Sequence, residues 1–154
     1  MAEQEAIRCI QLPLVEWQLI LPNSTVAEII GYSKPEQAGE DWFDGLLSWR
    51  GVMVPIVSIE AMCQRTYIAP GPRSRIAITY NLSNNKKIPY LGIILQDIPR
   101  AYLAEEDRMP AVAVPDECEF IIGRADIMLE QLMIPDLDAI VAAVKKKLKA
   151  KAKG

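Results

Sequence analysis

The sequence contains no histidine, and this absence excludes a large set of functions. Catalytic arrangements that need an imidazole base are ruled out, and so are metal sites built on histidine ligands. The chain cannot itself accept a phosphoryl group on histidine. Glycine-rich phosphate loops, nucleophile-elbow motifs and metal-binding spacings are missing too. We therefore expect no catalytic residue, no cofactor and no bound metal.

Cysteine is scarce, and the three cysteines show no CxxC spacing. Cys9, Cys63 and Cys118 lie far apart along the chain. Cysteines in such an odd, widely spaced set are more often small reduced core residues than bridges or zinc ligands. The sequence predicts three reduced cysteines.

Long apolar runs are also missing, since none approaches the roughly 18 residues that span a bilayer. The N-terminal segment is acidic and lacks the basic and then hydrophobic layout of a signal peptide. These features predict a cytoplasmic protein with no direct membrane insertion.

The charge is unevenly distributed. Six of the 17 basic residues are lysines from Lys145 onward, which leaves 11 basic against 20 acidic residues, a balance of −9, in the rest of the chain. An acidic body argues against a nucleic-acid partner, which requires a basic face. The lysines are typical of a solvated helix end, where they complement the helix dipole. Attraction to a membrane surface is the alternative, although the usual aromatic anchors are missing from this helix.

Short apolar segments dominate what is present. Hydrophobic residues make up 51% of 154 residues, enough for the core of one compact domain. Eleven prolines and eight glycines divide the apolar segments into eight to ten predicted strands, a rhythm typical of a β-barrel or sandwich. Helix is predicted only from Asp136 to about Lys149, with one turn capped by Ser58. The stretch "YSKPEQAGED" is predicted to be a loop.

Two isolated charges stand in otherwise apolar strand segments. Glu28 is the only charge in "VAEII", and Arg50 precedes Gly51 between the apolar runs "GLLSW" and "VMVPIV". An arginine at this turn could simply be solvated. Opposite charges in two hydrophobic strands instead favour a pair that bridges neighbouring strands. We predict that Glu28 and Arg50 pair.

These residues carry a resemblance to the CheW-like domain family. "VAEII" followed by "GLLSWRGVMVPIVSIEAM" resembles a V-x-E-I strand followed by a G-L-x-x-x-R-G-x-x-[IV]-P-[IV]-[IV]-[DS]-L block. The similarity continues through "RIAITY", "LGIILQDI" and "FIIGRADIMLEQLMIPDLDAIV", and so extends over nearly the whole chain. The R-G-x-x-x-P block is its most specific part.

The resemblance implies a mainly β fold of two small five-stranded SH3-like barrels that share a hydrophobic junction, plus a C-terminal helix. The expected organisation is a single domain, residues 1–154. The first barrel would span about 16–74, the second about 75–135 with help from the N-terminal strand, and the helix with its lysine-rich tail 136–150.

The resemblance also implies a function. Family members are adaptors that connect methyl-accepting chemoreceptors to a CheA-type histidine kinase, in chemotaxis or in pilus-based twitching motility. The implied partner-binding and groove-shaping residues are Val26, Glu28, Gly45, Arg50, Gly51 and Ile56.

The sequence departs from the family pattern close to these positions. Ser48-Trp49 replaces the usual Asn-Leu before R-G, and Ser58 replaces an aspartate. A second function therefore stays open, a small-ligand sensor that uses the cleft between the barrels. Such a sensor would need a deep cavity lined by Trp42 and Trp49, whereas an adaptor needs only a shallow groove.

Overall fold

The computed structural model describes residues 6–82, 87–105, 111–112, 118–127 and 130–153. Strands dominate these residues. They are β1 (Ala6–Pro13), β2 (Gln18–Pro22), β3 (Val26–Gly31), β4 (Gln37–Glu40), β5 (Phe43–Trp49), β6 (Val52–Val57), β7 (Arg75–Tyr80), β8 (Tyr90–Leu95), β9 (Arg100–Glu105), β10 (Ala111–Val112), β11 (Ile121–Ile127) and β12 (Glu130–Pro135). Two α-helices accompany them, α1 (Ile59–Met62) and α2 (Leu137–Lys153).

The strands form two six-stranded sheets. Sheet one has the order β3-β7-β8-β6-β5-β4, and sheet two has the order β10-β11-β12-β2-β1-β9. Antiparallel pairs prevail, and each sheet contains one parallel contact, β6 with β8 and β12 with β2. The predicted mainly β fold with a C-terminal helix is confirmed, although each sheet has one strand more than the five expected.

The two sheets divide the chain differently from the expected halves at about 16–74 and 75–135. The strands β7 and β8 belong to sheet one, while β2, which was assigned to the first half, belongs to sheet two. The reason is non-local pairing, because β7 pairs with β3 and β8 pairs with β6. The N-terminal strand does join the second half, where β1 pairs with β9.

One hydrophobic cluster joins the two sheets. Leu12 and Leu19 come from sheet two, Ile93 comes from sheet one, and Ile140 and Val144 come from α2. All five side chains are fully buried. Burying such a side chain contributes about 1.5–3 kcal/mol, so this filled junction holds the sheets against each other. It is the shared junction that the resemblance implied.

The local signals for helix were correct. The Ser58 hydroxyl accepts a hydrogen bond from the Ala61 backbone N–H at 3.2 Å and caps α1. The Asp136 carboxylate accepts one from the Ala139 N–H at 3.1 Å, one residue before α2 begins. The segment "YSKPEQAGED", however, contains β4, which the loop prediction missed. Gln37 and Ala38 pair there with Leu46 and Gly45.

The prediction of three reduced cysteines is wrong for two of them. Cys63, directly after α1, and Cys118, shortly before β11, form a disulfide across 55 positions of sequence. Linear spacing gave no sign of this bond, because the fold alone brings the two segments together. Cys9 is a free, buried cysteine, as expected.

The helix α1 is largely buried, whereas α2 exposes one face to solvent. Neither one, over the part of the chain that the structure describes, is long and apolar enough to cross a membrane.

Candidate functional site

The turn between β5 and β6 has a special backbone. Trp49 pairs with Val52, so Arg50 and Gly51 form a two-residue hairpin loop. Both have positive φ, +48° for Arg50 and +78° for Gly51, which is the pattern of a type I′ turn. Glycine adopts this backbone easily, but an arginine at positive φ carries a local cost. The arginine is therefore not explained by the turn alone.

Glu28, in β3, accepts hydrogen bonds from two side chains of this hairpin. Arg50 Nη2 donates to Glu28 Oε1 at 3.1 Å, and the indole Nε1 of Trp49 donates to Glu28 Oε2 at 2.5 Å. The Arg50 guanidinium also lies over the Trp49 ring, 4.9 Å from its centre. We call these three residues the latch. The predicted Glu28–Arg50 pair is confirmed.

The latch connects distant members of one sheet. In sheet one, β7, β8 and β6 separate the edge strand β3 from β5, where Trp49 lies. A side chain on β3 can reach the β5–β6 turn only if the sheet curls strongly. The latch therefore fastens the open edge of the curled sheet to the tip of a hairpin.

The latch is open to solvent at its charged atoms. The side chain of Arg50 is 67% exposed and that of Glu28 is 36% exposed, while Trp49 is largely buried. The hydrogen bond from Trp49, followed by the bond and charge of Arg50, lowers the pKa of the Glu28 carboxyl, although partial desolvation opposes this. Glu28 thus remains an anion held in a fixed orientation.

Aromatic rings extend the latch along the sheet. Trp49 packs edge-on against Tyr90, with ring centres 4.8 Å apart, and Tyr90 lies 5.7 Å from Tyr80. Tyr80 and Tyr90 are directly paired across β7 and β8, and Tyr80 is exposed. Rings contribute rigid contact area, a property common at protein interfaces.

The other implied site residues fall into two groups. Val26, at the start of β3, is half-buried, and Gly51 is exposed in the turn. Gly45 and Ile56 are buried. A Cβ on Gly45 would lie 2.1 Å from the Gln37 carbonyl oxygen, so this glycine permits the close approach of β4. Ile56 is 0% exposed, so it supports the hairpin from the core and is out of reach of a partner.

The tryptophans do not form a common cage. Trp49 belongs to the sheet-one cluster with Ile56 and Ile76, whereas Trp17 belongs to the junction cluster and Trp42 packs against it. Of two open surface grooves formed by described residues, neither is lined by both Trp42 and Trp49. The predicted ligand cavity therefore has no counterpart in these grooves.

Comparison with known families decides the affiliation. The model of the family described as "CheW-like domain" matches residues 9–145, which is most of the chain. The chain belongs to the CheW-like domain family.

A solved structure of the same family is similar in fold. It is the crystal structure of the scaffolding protein TtCheW from Thermoanaerobacter tengcongensis, with a TM-score of 0.72 and 17% sequence identity. The match covers 88% of this chain and 87% of that chain. At this identity the likeness concerns the fold alone. A search of curated proteins gave no match.

Sequence reasoning found two members of the latch and missed the third. From the sequence, Trp49 is only a departure from the family pattern and a candidate lining residue of a ligand cavity. A large side chain with a single N–H donor, directly next to the predicted cation, was a usable signal. The contacts with Tyr90 and Tyr80 could not be found in this way, because they depend on the pairing of β7 with β8.

Proposed function

We propose that this CheW-like protein is a non-catalytic adaptor that couples methyl-accepting chemoreceptors to a CheA-type histidine kinase in the cytoplasm. The observation that carries the proposal is the family match over residues 9–145. The similar fold of a scaffolding protein supports it.

The latch provides a surface suited to such coupling. Charges that are exposed yet held in place can give orientation and specificity to an encounter without a large preformed pocket. Glu28 and Arg50 meet this description, since both are accessible and each is fixed by a second contact with Trp49. Val26 on the same strand and the exposed ring of Tyr80 would add apolar contact.

A binding experiment tests the proposal. The purified chain is mixed with the cytoplasmic fragment of a chemoreceptor and a CheA-type kinase from the same organism, and assembly and kinase activity are measured. We expect a ternary complex whose kinase activity depends on the adaptor. Arrays that form equally well without this chain would contradict the proposal. The receptor and kinase that assemble also identify the pathway, flagellar chemotaxis or pilus-based motility.

Variants then test the latch. We expect Glu28→Ala and Arg50→Ala each to weaken assembly, and the double variant to be less harmed than the two effects combined, because the residues contact each other. Arg73→Ala is the matched control. Arg73 is equally exposed and pairs with Asp97 at 2.8 Å, but it lies outside the latch. A loss of assembly in Arg73→Ala as large as that in Arg50→Ala would contradict a role for the latch.

A further inference from the structure

A groove runs along one side of α2, and none of its lining residues belongs to the latch. Its volume is about 820 Å³, and we call it the α2 groove. It is lined by Trp42, Ala61, Met62, Gln64, Glu119, Phe120, Ala139, Ala142, Ala143, Lys146, Lys147 and Ala150. We propose that the α2 groove docks an acidic amphipathic helix of a partner protein.

The wall formed by α2 consists of one helical face. The lining positions 139, 142, 143, 146, 147 and 150 follow the i, i+3, i+4 spacing of a single stripe. The opposite stripe, with Ile140 and Val144, is buried in the junction. The groove stripe carries alanines, whose small side chains let another helix axis approach closely. It spans about three turns, roughly 16 Å at 1.5 Å per residue.

The facing wall offers apolar anchoring surface. Trp42 and Phe120 are half-buried, each packed with one side against the junction and lining the groove as well. Met62 adds a thioether, which adapts to different partner side chains. Trp42 is fixed further by Lys147, whose ammonium lies 5.6 Å from the ring centre and 3.3 Å from Asp41. Such rings accept leucine-like side chains from a helix lying beside α2.

The backbone of the α2 wall favours a helical occupant over an extended one. An extended peptide gains affinity from hydrogen bonds to a free strand edge. The N–H and C=O groups within α2 are already used inside the helix. A helical partner pairs its own backbone N–H and C=O groups internally, so burying its backbone in this groove leaves no such group without a hydrogen bond.

Charge defines the chemistry of the partner. Lys146 is exposed at the groove, Lys145 and Lys149 are exposed nearby on α2, and the sequence adds lysines at 151 and 153. Lys147 is already engaged by Asp41 and Glu40, and no ion pair recorded among the described residues involves Lys146. Glu119 is the one acidic residue in the lining. A helix with carboxylates facing Lys146 complements this wall.

The disulfide braces the groove. Cys63 stands between the lining residues Met62 and Gln64, and Cys118 directly precedes the lining residues Glu119 and Phe120. The covalent bond therefore connects the α1 side of the groove to the segment that carries Phe120. A preformed groove costs a partner less ordering free energy than one that must assemble during binding.

The test uses the full chain and a designed probe. The probe is a fluorescein-labelled amphipathic helix of about 14 residues, with leucines at i, i+3, i+4 and i+7, and glutamates on the remaining face. A scrambled peptide of the same composition is its control. We expect fluorescence anisotropy to show saturable binding of the probe and at least about tenfold weaker binding of the scrambled peptide. Equal binding of the two peptides would overturn the proposal.

Substitutions of two neighbouring lysines distinguish docking in the groove from general electrostatic attraction of the acidic probe. Lys146→Glu and Lys145→Glu change the net charge equally, but only Lys146 lines the groove. We expect about tenfold weaker probe binding for Lys146→Glu and about twofold or less for Lys145→Glu. Equal effects would show that the lysines act only as a diffuse positive charge, and the proposal would be wrong.

A third set of measurements tests whether the probe occupies the groove itself and whether a membrane competes for it. Ala142→Phe fills the groove without changing charge, whereas Ala69→Phe places the same ring at an exposed loop position outside it. Only Ala142→Phe should abolish probe binding. Vesicles of phosphatidylcholine and phosphatidylserine should not compete with the probe. If the vesicles bind and displace the probe, the surface is a membrane contact and the proposal fails.

Discussion

The carboxylate of Glu28 in β3 accepts a hydrogen bond from the indole N–H of Trp49 in β5 at 2.5 Å, although three other strands of the sheet lie between β3 and β5. This contact, together with the Arg50 ion pair on the other oxygen of the same carboxylate, joins an edge strand to a hairpin tip. Edge strands are otherwise open to unwanted pairing with other chains. The latch therefore has a structural consequence as well as its proposed role in partner binding.

The hydrogen bond from Trp49 should be visible in the titration of Glu28. Trp49→Phe removes the N–H donor while keeping an aromatic ring against Tyr90. We expect the pKa of Glu28 to rise toward its ordinary value, because the bond from Trp49 is the largest cause of its lowering. Side-chain NMR titration measures this pKa. It should be unchanged in Arg73→Ala, and an unchanged pKa in Trp49→Phe would contradict the latch geometry.

Replacing Arg50 with asparagine should affect thermal stability and partner binding differently. Asparagine tolerates positive φ better than arginine and is favoured next to glycine in type I′ turns. We expect Arg50→Asn to have a melting temperature equal to that of the parent, or higher by about 2–4 °C, while coupling to receptor and kinase is weakened. Arg50→Ala should lose both. If Arg50→Asn retains full coupling, the guanidinium has no role in partner binding.

The Glu28–Arg50 pair could be predicted because each charge stood alone among apolar residues, so a partner was needed within reach. The helix from Leu137 could be predicted because its start carries a capping aspartate and its apolar residues repeat at helical spacing. Both signals are local or nearly so. They depend on chemistry that a short window of sequence displays.

What could not be predicted depends on contacts between distant segments. The Cys63–Cys118 bond joins segments that only the packed junction brings together. The strand Gln37–Glu40 is mostly exposed and polar, and it forms by pairing with β5 rather than by its own propensity. The distribution of strands between the two sheets depends on such contacts as well, since β7 pairs with β3 and β8 pairs with β6.

The disulfide should make the stability of the protein dependent on redox conditions. Closing a loop of 55 positions removes chain entropy from the unfolded state and can contribute about 4 kcal/mol. We expect reduction by dithiothreitol to lower the melting temperature clearly. A double variant, Cys63→Ala with Cys118→Ala, should start at the lower value and not respond to the reductant.

This response bears on the proposed cytoplasmic location, since thiols are kept largely reduced in that compartment. The α2 groove, in whose facing wall the bond joins the Met62 and Phe120 segments, should also bind the helical probe more weakly after reduction. Identical melting curves with and without dithiothreitol would show that the bond contributes nothing to the folded state. Cys9→Ala is the control, because Cys9 is buried and free.

The buried carboxyl of Glu60 should make the free energy of unfolding depend on pH. Glu60 in α1 is 2% exposed, and its Oε2 accepts the Val15 N–H at 3.2 Å, which ties α1 to the β1–β2 turn of the other sheet. Burial, with a smaller contribution from the charge of neighbouring Glu16, raises the pKa of Glu60 to about 7, although the bond from Val15 opposes this. Burial raises the pKa of the Tyr67 hydroxyl too, followed by the charges of Asp44 and Glu60.

The direction of the pH effect follows from proton binding. In the unfolded chain Glu60 loses its proton near the ordinary value of 4.5, but in the folded chain it keeps the proton up to about pH 7. Between these values the folded state binds more protons, so the free energy of unfolding falls as the pH rises, by roughly 3 kcal/mol in total. Below this window the stabilisation is complete, and above it the loss is complete.

Glu60→Gln removes this titration while keeping a carbonyl oxygen that can accept the Val15 N–H. We expect the variant and the parent to have similar unfolding free energies near pH 5, and the variant to be more stable near pH 8, because only the parent must then bury an ionised carboxylate. Urea denaturation at a series of pH values measures the difference. Glu16→Gln, at an exposed neighbour, should leave most of the pH dependence in place. Parallel pH profiles for the parent and Glu60→Gln would show that another group is responsible.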